Sequence, residues 1–311
     1  MTIVLLIILV LALLLLTGGY AAFLLGIVRL PREREPDPGR SKWLAPFRQE
    51  ILDGGAWFRE QKPERVSIPS FDGLTLTGYF LPAEDAKGTL LLVHGYRSGP
   101  FTDFGVVFSY YHDLGWNILA PWQRAHGESE GRYITFGVKE RFDVRDWARY
   151  LCDRFCPEHA IVLDGISMGC TSVLMALGTE LPGSVRGAIA DCGFTSPQDE
   201  FVHFLKHRCH LPPHPIMDVA EGFARLLAGF GFRDYSTLDA LKVSTLPVLF
   251  VHGERDTFVL PEFTRQNYAA CRGEKRLVTV PNAGHGTSYL FGREECRAAL
   301  ETFLGECAAE T

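Results

Sequence analysis

The sequence predicts an α/β fold, a mostly parallel β-sheet covered by helices on both faces and preceded by one long apolar helix. Three observations predict it. Short apolar, β-branched runs alternate with helical patterns from about residue 65 to the carboxyl terminus. One of these runs, at 159–166, ends in Gly165-Ile-Ser167-Met-Gly169 and passes straight into an apolar helical pattern. Finally, residues 2–28 contain no charged side chain, long enough for a helix that crosses a bilayer at about 20 residues per span.

Taken in chain order, residues 1–30 read as an uncleaved transmembrane anchor. No Lys or Arg precedes the apolar run, and Gly19-Tyr-Ala21 is a weak cleavage site, so a removed signal peptide fits less well. Arg29, Arg32, Arg34, Arg40 and Lys42 all follow the span, which by the positive-inside tendency places the remaining chain in the cytoplasm. Residues 31–64 read as a linker and an amphipathic helix. The linker, 31–40, is rich in Pro, Arg, Glu and Asp. The helix, 43–58, carries a stripe of Trp43, Leu44, Phe47, Ile51, Trp57 and Phe58. Residues 65–311 make one domain of ordinary size, separable from the anchor. It opens with a hairpin over 66–81 turning at Asp72-Gly73. Strands follow at 89–93, ending in His94-Gly95-Tyr96, and at 116–120, leading into a polar Gly-rich loop. The next two, at 161–166 and 188–191, flank the Ser167 turn. A long insertion at 193–235 interrupts the alternation and reads as a lid; its many Phe and Leu side chains either line an apolar acyl pocket or, as is expected of most of them, glue the lid helices to the domain. The last two strands, 246–252 and 275–280, are each followed by a loop with a chemistry-bearing residue, Asp256 and His285.

The turn at Gly165-x-Ser167-x-Gly169 has the form of a nucleophile elbow. A serine held there on a tight strand-to-helix turn exposes its hydroxyl, and the residues two away on either side must be Gly to let the chain pass. A serine hydroxyl is a weak nucleophile at neutral pH, so it needs a base, an acid that orients the base, and donors for an oxyanion. His285 is the candidate base and Asp256 the candidate acid. The backbone N–H groups of Tyr96 and Met168 are the candidate oxyanion donors. His126 competes for the role of base and Asp191 for that of acid. His94 reads as a buried loop-binding histidine, and Asp164 and Glu254 as solvated or capping carboxylates.

With these residues in place, the chain resembles the α/β-hydrolase superfamily over roughly residues 65 to 305. It is most similar to the single-span, membrane-anchored serine hydrolases of the Bem46-like esterase group. The motifs that carry the resemblance are His94-Gly95-Tyr96, the segment from Arg124 through His126-Gly127-Glu128 to Gly131, Gly165-Ile-Ser-Met-Gly169, His252-Gly-Glu-Arg-Asp256 and Asn282-Ala-Gly-His-Gly286. The resemblance implies an eight-stranded, mostly parallel sheet, the triad Ser167, Asp256 and His285, and no cofactor. Two departures from the pattern stand out: Gln123-Arg-Ala-His-Gly where the family usually carries Asp-x-Arg-Gly-His-Gly, and Cys170 where a Gly or Ala is common.

The remaining features narrow the function. A net charge of −6 and the lack of a basic run argue against a nucleic-acid partner. The eight cysteines show no compact disulfide spacing. His203, His207, His210 and His214 cluster in the lid, but nothing beyond Cys209 completes a metal site, and none is expected. The function expected is that of a membrane-anchored serine hydrolase cleaving an ester or thioester of an apolar, lipid-like acyl substrate through an acyl-enzyme. A peptidase or acyltransferase would use the same residues, and a non-catalytic membrane-bound binding protein would share the fold.

Overall fold

A computed structural model describes residues 2–29 and 36–309; of the linker arginines, Arg32 and Arg34 lie outside the described residues. Eight strands form a single sheet: β1 (Glu64–Pro69), β2 (Thr75–Leu81), β3 (Thr89–Val93), β4 (Asn117–Pro121), β5 (Ile161–Ile166), β6 (Val185–Asp191), β7 (Val248–Gly253) and β8 (Lys275–Val280). Their order is β1-β2-β4-β3-β5-β6-β7-β8. The β1–β2 and β2–β4 pairs are antiparallel and every later pair is parallel. The central strands are mostly apolar because both faces are covered, and every residue of β3, β4 and β7 is buried.

The helices are α1 (Thr2–Ile27), α2 (Arg48–Glu60), α3 (Pro100–Asp103), α4 (Phe108–Asp113), α5 (Glu140–Arg154), α6 (Met168–Ala176), α7 (Pro197–His207), α8 (Ile216–Phe223), α9 (Thr237–Leu241), α10 (Pro261–Ala270), α11 (Ser288–Phe291) and α12 (Arg293–Ala309). One apolar core lies between the sheet and α2, α4 and α12, and another between the sheet and α5 and α6. The β1–β2 connection turns at Asp72-Gly73, where Gly73 takes φ +86°. Arg124, fully buried, ties that turn to α5 by bonding both Asp72 and Asp143.

The structure differs from the sequence reading at the amphipathic segment. The α-helix begins only at Arg48, after a short 3₁₀ turn at Ala45–Phe47. Pro46 is the physical reason, since it lacks the N–H that a continuous helical ladder would use there. The residues before it form a strap instead. Trp43 lies flat on the backbone of Gly284, where an added Cβ would sit 2.2 Å from its ring.

The lid comprises α7, α8 and one wide helical turn at Ala224–Ala228, closed by Gly229 in the left-handed region. α1 does not stand apart from the domain. Its first 13 residues described, Thr2–Leu14, are exposed, but Gly19, Phe23 and Ile27 are buried. The helix ends by adding its backbone to the domain, with Ile134 N–H donating to Ile27 O at 2.8 Å and Arg29 N–H to Arg132 O at 2.8 Å. Phe23 and Ile27 join Met168, Phe194, Met217 and the rings of the lid in a third apolar cluster.

Deletion of residues 1–17 should therefore leave a folded domain, whereas deletion of 1–30 should lower its stability. The loss of Phe23 and Ile27 alone amounts to about 3–6 kcal/mol of burial. Comparing thermal unfolding of the two truncations checks this: equal melting temperatures would contradict it.

Candidate active site

Ser167 sits between the end of β5 and the start of α6 at φ 57°, ψ −120°. This is backbone a serine rarely adopts. The glycines on either side are dictated by contact. A Cβ on Gly169 would lie 1.8 Å from Val93 O of β3, and one on Gly165 would lie 2.5 Å from Gly169 O. Ser167 N–H donates to Asp191 O at 2.9 Å, pinning the turn to β6.

The loops after β7 and β8 bring two further side chains to this hydroxyl. His285 Nε2 is 2.9 Å from Ser167 Oγ, and His285 Nδ1 is 2.7 Å from Asp256 Oδ2. Because a carboxylate only accepts, Nδ1 carries the proton and Nε2 is free to accept one from Ser167. Asp256 is buried, and its other oxygen accepts from the N–H groups of Phe258 (2.8 Å) and Val259 (3.0 Å). Burial alone would raise its pKa, but the charge of His285 and hydrogen bonds from His252 and His285 outweigh that and hold it well below the usual carboxylate range. For His285 burial pulls the pKa down, while the Asp256 charge and hydrogen bond, with Glu200 and Asp191, set it above the ordinary value.

The other histidines are occupied by main chain. His94 accepts from Gln123 N–H at 3.0 Å and donates to Gly95 O at 2.8 Å. His126 accepts from Arg97 N–H at 2.9 Å and donates to Arg124 O at 2.9 Å. Burial pushes the His126 pKa down to about 4 and that of His94 well below its ordinary value. Asp191 does not reach His285 by a hydrogen bond; it accepts from Ser288 Oγ at 3.2 Å, and burial raises its pKa to about 6. Asp164 is not solvated: it is buried in β5 and accepts from Tyr111 O–H at 2.7 Å. Glu254 is exposed.

The two departures from the family pattern are absorbed by the surroundings. Gln123 donates through its amide to His94 O and accepts from Ser172 O–H, so it ties the end of β3 to α6. Cys170 is buried against Gly193, where a Cβ would stand 2.4 Å from its sulfur.

Tyr96 lines the cavity that opens on Ser167, and Met168 follows the serine at the first position of α6. The loop carrying Tyr96 is held from two sides. Asp103, at the end of α3, accepts from Gly95 N–H at 2.6 Å and from Ser98 O–H. Tyr96 O–H donates to Gly26 O of α1 at 2.8 Å, and Arg97 donates to Leu25 O at 2.6 Å. The cavity measures about 300 Å³. Its apolar walls are Leu44, Ile51, Val106, Ile166, Phe258 and Leu290, and its rim is the strap at Pro36, Pro38 and Ser41. The lid aromatics do not line it, so of the two roles the sequence offered them the structure favours gluing the lid to the domain. They stack on one another instead, Phe201 meeting Phe136 and Phe232 at 4.6 Å each.

Among the described residues, Cys192, Asp256 and His285 form a group close enough to hold a metal ion. Its chemistry does not suit one, because burial keeps Cys192 as a thiol and the two other side chains already satisfy each other. In the lid, His203 and His207 stack at 5.0 Å, and His203 points Nε2 at Thr257 O rather than at an acidic partner.

A family model described as the prolyl oligopeptidase family matches residues 133–311, more than half of the chain. The chain belongs to that family. Its fold, with the strand order given above, is the α/β-hydrolase fold. Among curated proteins it is 28% identical to YqkD of Bacillus subtilis over 79% of this chain and 81% of that protein. It is 24% identical to the Bem46 protein of Schizosaccharomyces pombe over 73% of this chain and 72% of that one. The esterase Pf2001 of Pyrococcus furiosus superposes with a TM-score of 0.63 at 24% identity, covering 80% of this chain and 93% of the esterase.

Three residues beside the site escaped the sequence reading. His252, buried in β7, donates from Nε2 toward Val259 O (3.1 Å) and Asp256 Oδ2 (3.3 Å), and its Nδ1 accepts from Thr264 O–H at 2.6 Å. It lies inside a quoted motif, so its position was visible although its partner was not. Asp103 follows Gly95 by eight residues with no motif of its own. Glu200 belongs to α7 of the lid, is buried, and has an oxygen without a hydrogen-bond partner. Burial pushes its pKa up to about 8, against an attraction from His285.

Glu200 is neutral in the folded chain where it would be ionised in the unfolded one, so its stability penalty is absent below its unfolded pKa and grows as pH rises toward 8. Glu200→Gln should be more stable than wild type at pH 8 by a few kcal/mol, on the order of 1.4 kcal/mol per pKa unit, and close to equal at pH 4. Chemical denaturation at both pH values tests the sign; a gap that widens toward acid would refute it.

Proposed function

We propose that the chain is a membrane-anchored serine hydrolase that cleaves carboxylic ester or thioester bonds of a small-to-medium apolar acyl substrate through an acyl-enzyme. The observation that carries this reading is the continuous bonding Ser167 Oγ to His285 Nε2 to His285 Nδ1 to Asp256 Oδ2, at 2.9 and 2.7 Å, at the mouth of an apolar cavity. In this mechanism Ser167 Oγ attacks the acyl carbon as His285 Nε2 takes its proton. The Tyr96 and Met168 amides hold the oxyanion, and His285 returns the proton to the departing alcohol or thiol. Water, deprotonated by the same nitrogen, then releases the acid and regenerates Ser167. Asp256 fixes the tautomer of His285 and stabilises its protonated form. A cavity of about 300 Å³ stands at the small end of ligand pockets, which favours short and medium acyl chains over long ones.

The anchor reading rests on α1, 26 residues with a mean hydropathy of 2.9 over its most apolar 18-residue window. Arg29, Arg40 and Lys42 follow it, so the catalytic domain is assigned to the cytoplasmic side. The family name supports a second reading, in which the same three residues cleave a peptide bond.

A p-nitrophenyl ester series from acetate to palmitate separates these readings when run beside a peptide anilide series. The expected outcome is an ester optimum at short or medium length that falls by at least ~10⁴-fold in Ser167→Ala and in His285→Ala. His126→Ala should mainly lower thermal stability. Turnover confined to anilides would select the peptidase, and no Ser167-dependent turnover of either would overturn the hydrolase reading. A further expectation concerns pH: the base must be neutral, and the His285 pKa is raised, so the acid limb of kcat/KM should lie above pH 6.5.

A further inference from the structure

The packing of α1 against the lid fixes the depth at which the lid meets a bilayer. α1 turns one face to the domain, on which Leu15, Gly18, Ala22 and Gly26 are partly covered and Gly19, Phe23 and Ile27 are buried. Gly19 lies against Val219 of α8 so closely that an added Cβ would be 2.4 Å from its side chain. Four residues on, the Phe23 ring is 6.2 Å from Phe223, and Tyr20 is 4.9 Å from the same ring. The contacts advance in the same direction along both helices, so the amino-terminal end of α8 points toward the free end of α1.

The exposed run, Thr2–Leu14, rises about 20 Å at 1.5 Å per residue, short of the about 30 Å of bilayer hydrocarbon. If α1 spans, all of that length is consumed, and the headgroup layer lies no farther from the domain than the level where α8 begins. The chain leading into α8 is residues 204–215. It exposes Lys206, His207, Arg208, His210 and His214 beside the apolar Phe204 and Leu211, which are 40% and 44% exposed. No acidic residue occurs within it. Of the neighbouring acids, Asp218 pairs with His214 of the segment itself, while Glu221 is engaged with Arg225 and Asp199 with Thr195 and Ser196, so Lys206 and Arg208 are the cations left to face the bilayer. Main-chain bonds from Leu211 N–H to Leu205 O and from Cys209 N–H to Phe204 O hold the segment folded back on α7. Exposed rings and aliphatic groups set among cations match the boundary between acyl chains and anionic headgroups.

We propose that lid residues 204–215 dock on the anionic headgroups of the bilayer that α1 crosses, so that the lid and the Ser167 cavity behind it are held at the membrane surface. The proposal rests on the spanning reading of α1. In it, Phe204 and Leu211 enter the interface while Lys206 and Arg208 pair with lipid phosphates.

The test uses the full chain reconstituted in phosphatidylcholine vesicles with and without phosphatidylglycerol. An environment-sensitive fluorophore is attached at the exposed Cys209 in a Cys156→Ser background, or at Leu9→Cys with both native exposed cysteines replaced by Ser. Both probes should shift to shorter wavelength and be quenched by brominated lipid. The Cys209 response should be stronger with phosphatidylglycerol and be lost in Lys206→Glu/Arg208→Glu, which should hydrolyse a water-soluble ester at the wild-type rate. A buried Leu9→Cys probe with Cys209 in water would overturn the docking surface and leave the anchor standing. A Leu9→Cys probe in water would overturn the anchor and the docking surface together.

Discussion

The arrangement depends on one close approach, that of Gly169 to the carbonyl of Val93 where β5 turns into α6 beside β3. There is no room for a Cβ at that contact, so the helix can start immediately behind the strand and Ser167 is forced to φ 57°. Such a conformation costs on the order of 1–3 kcal/mol and persists only where the surroundings over-determine it. Here they do: Ser167 N–H is held by Asp191 O, α6 is buried along its whole length, and Gly95 faces Ser167 from the neighbouring strand end. The hydroxyl is thereby fixed at the carboxyl edge of the sheet, and every other part of the site is a loop that reaches it from a parallel strand.

Parallel strands explain why those loops converge. β3, β5, β7 and β8 all end at the same edge, so Tyr96, Ser167, Asp256 and His285 arrive together although 189 residues separate the first from the last. What distinguishes the three histidines at this edge is hydrogen-bond accounting rather than position. His94 and His126 each have one nitrogen accepting from a backbone N–H and the other donating to a carbonyl, which leaves neither with a nitrogen for proton transfer. Only His285 of the three presents a nitrogen to a side-chain hydroxyl. A hydroxyl partner alone does not make the difference, since His252 meets Thr264 O–H through Nδ1; what sets His285 apart is that its hydroxyl partner is the serine of the elbow.

The sheet and the elbow were legible because each rests on a local rule. Strands of a covered parallel sheet are mostly apolar or β-branched, and a serine at the elbow must have small neighbours two residues away, so β3 to β8 and the Ser167 turn stand out in the sequence. The cavity was not legible. Its outer wall is the strap at 36–44, whose first residues read as a linker and whose Trp43 and Leu44 read as the start of a helix, and its docking through Trp43 on Gly284 is a contact across 241 residues that no periodicity encodes. The lid left its role open in the sequence. Its Phe and Leu content is that of a pocket lining, yet the rings pack on one another and on α1, because apolarity specifies burial and not what a side chain is buried against. Glu200 is the extreme case: an ordinary acidic residue in a helix pattern, it is buried near His285 by tertiary packing alone.

α1 shows how two requirements can share one segment. Hydropathy treats its 26 residues as uniform, and by that measure it is only long and apolar. The small residues divide it. Gly18, Gly19, Ala22 and Gly26 recur at three- and four-residue spacing on the half nearer the domain, the spacing of a single helix face. Of these, Gly19 is the one that contact requires, an added Cβ there lying 2.4 Å from the Val219 side chain and 3.3 Å from Ala220 N, whereas the preceding half offers large aliphatic groups on every side and Thr2–Leu14 are exposed. A helix selected only to sit in lipid has no need of that asymmetry. Its presence ties the carboxyl half to the lid and, through Tyr96 and Arg97, to the loop beside Ser167. The orientation of the site relative to α1 is therefore built into the packing and does not depend on the length or stiffness of the linker that follows.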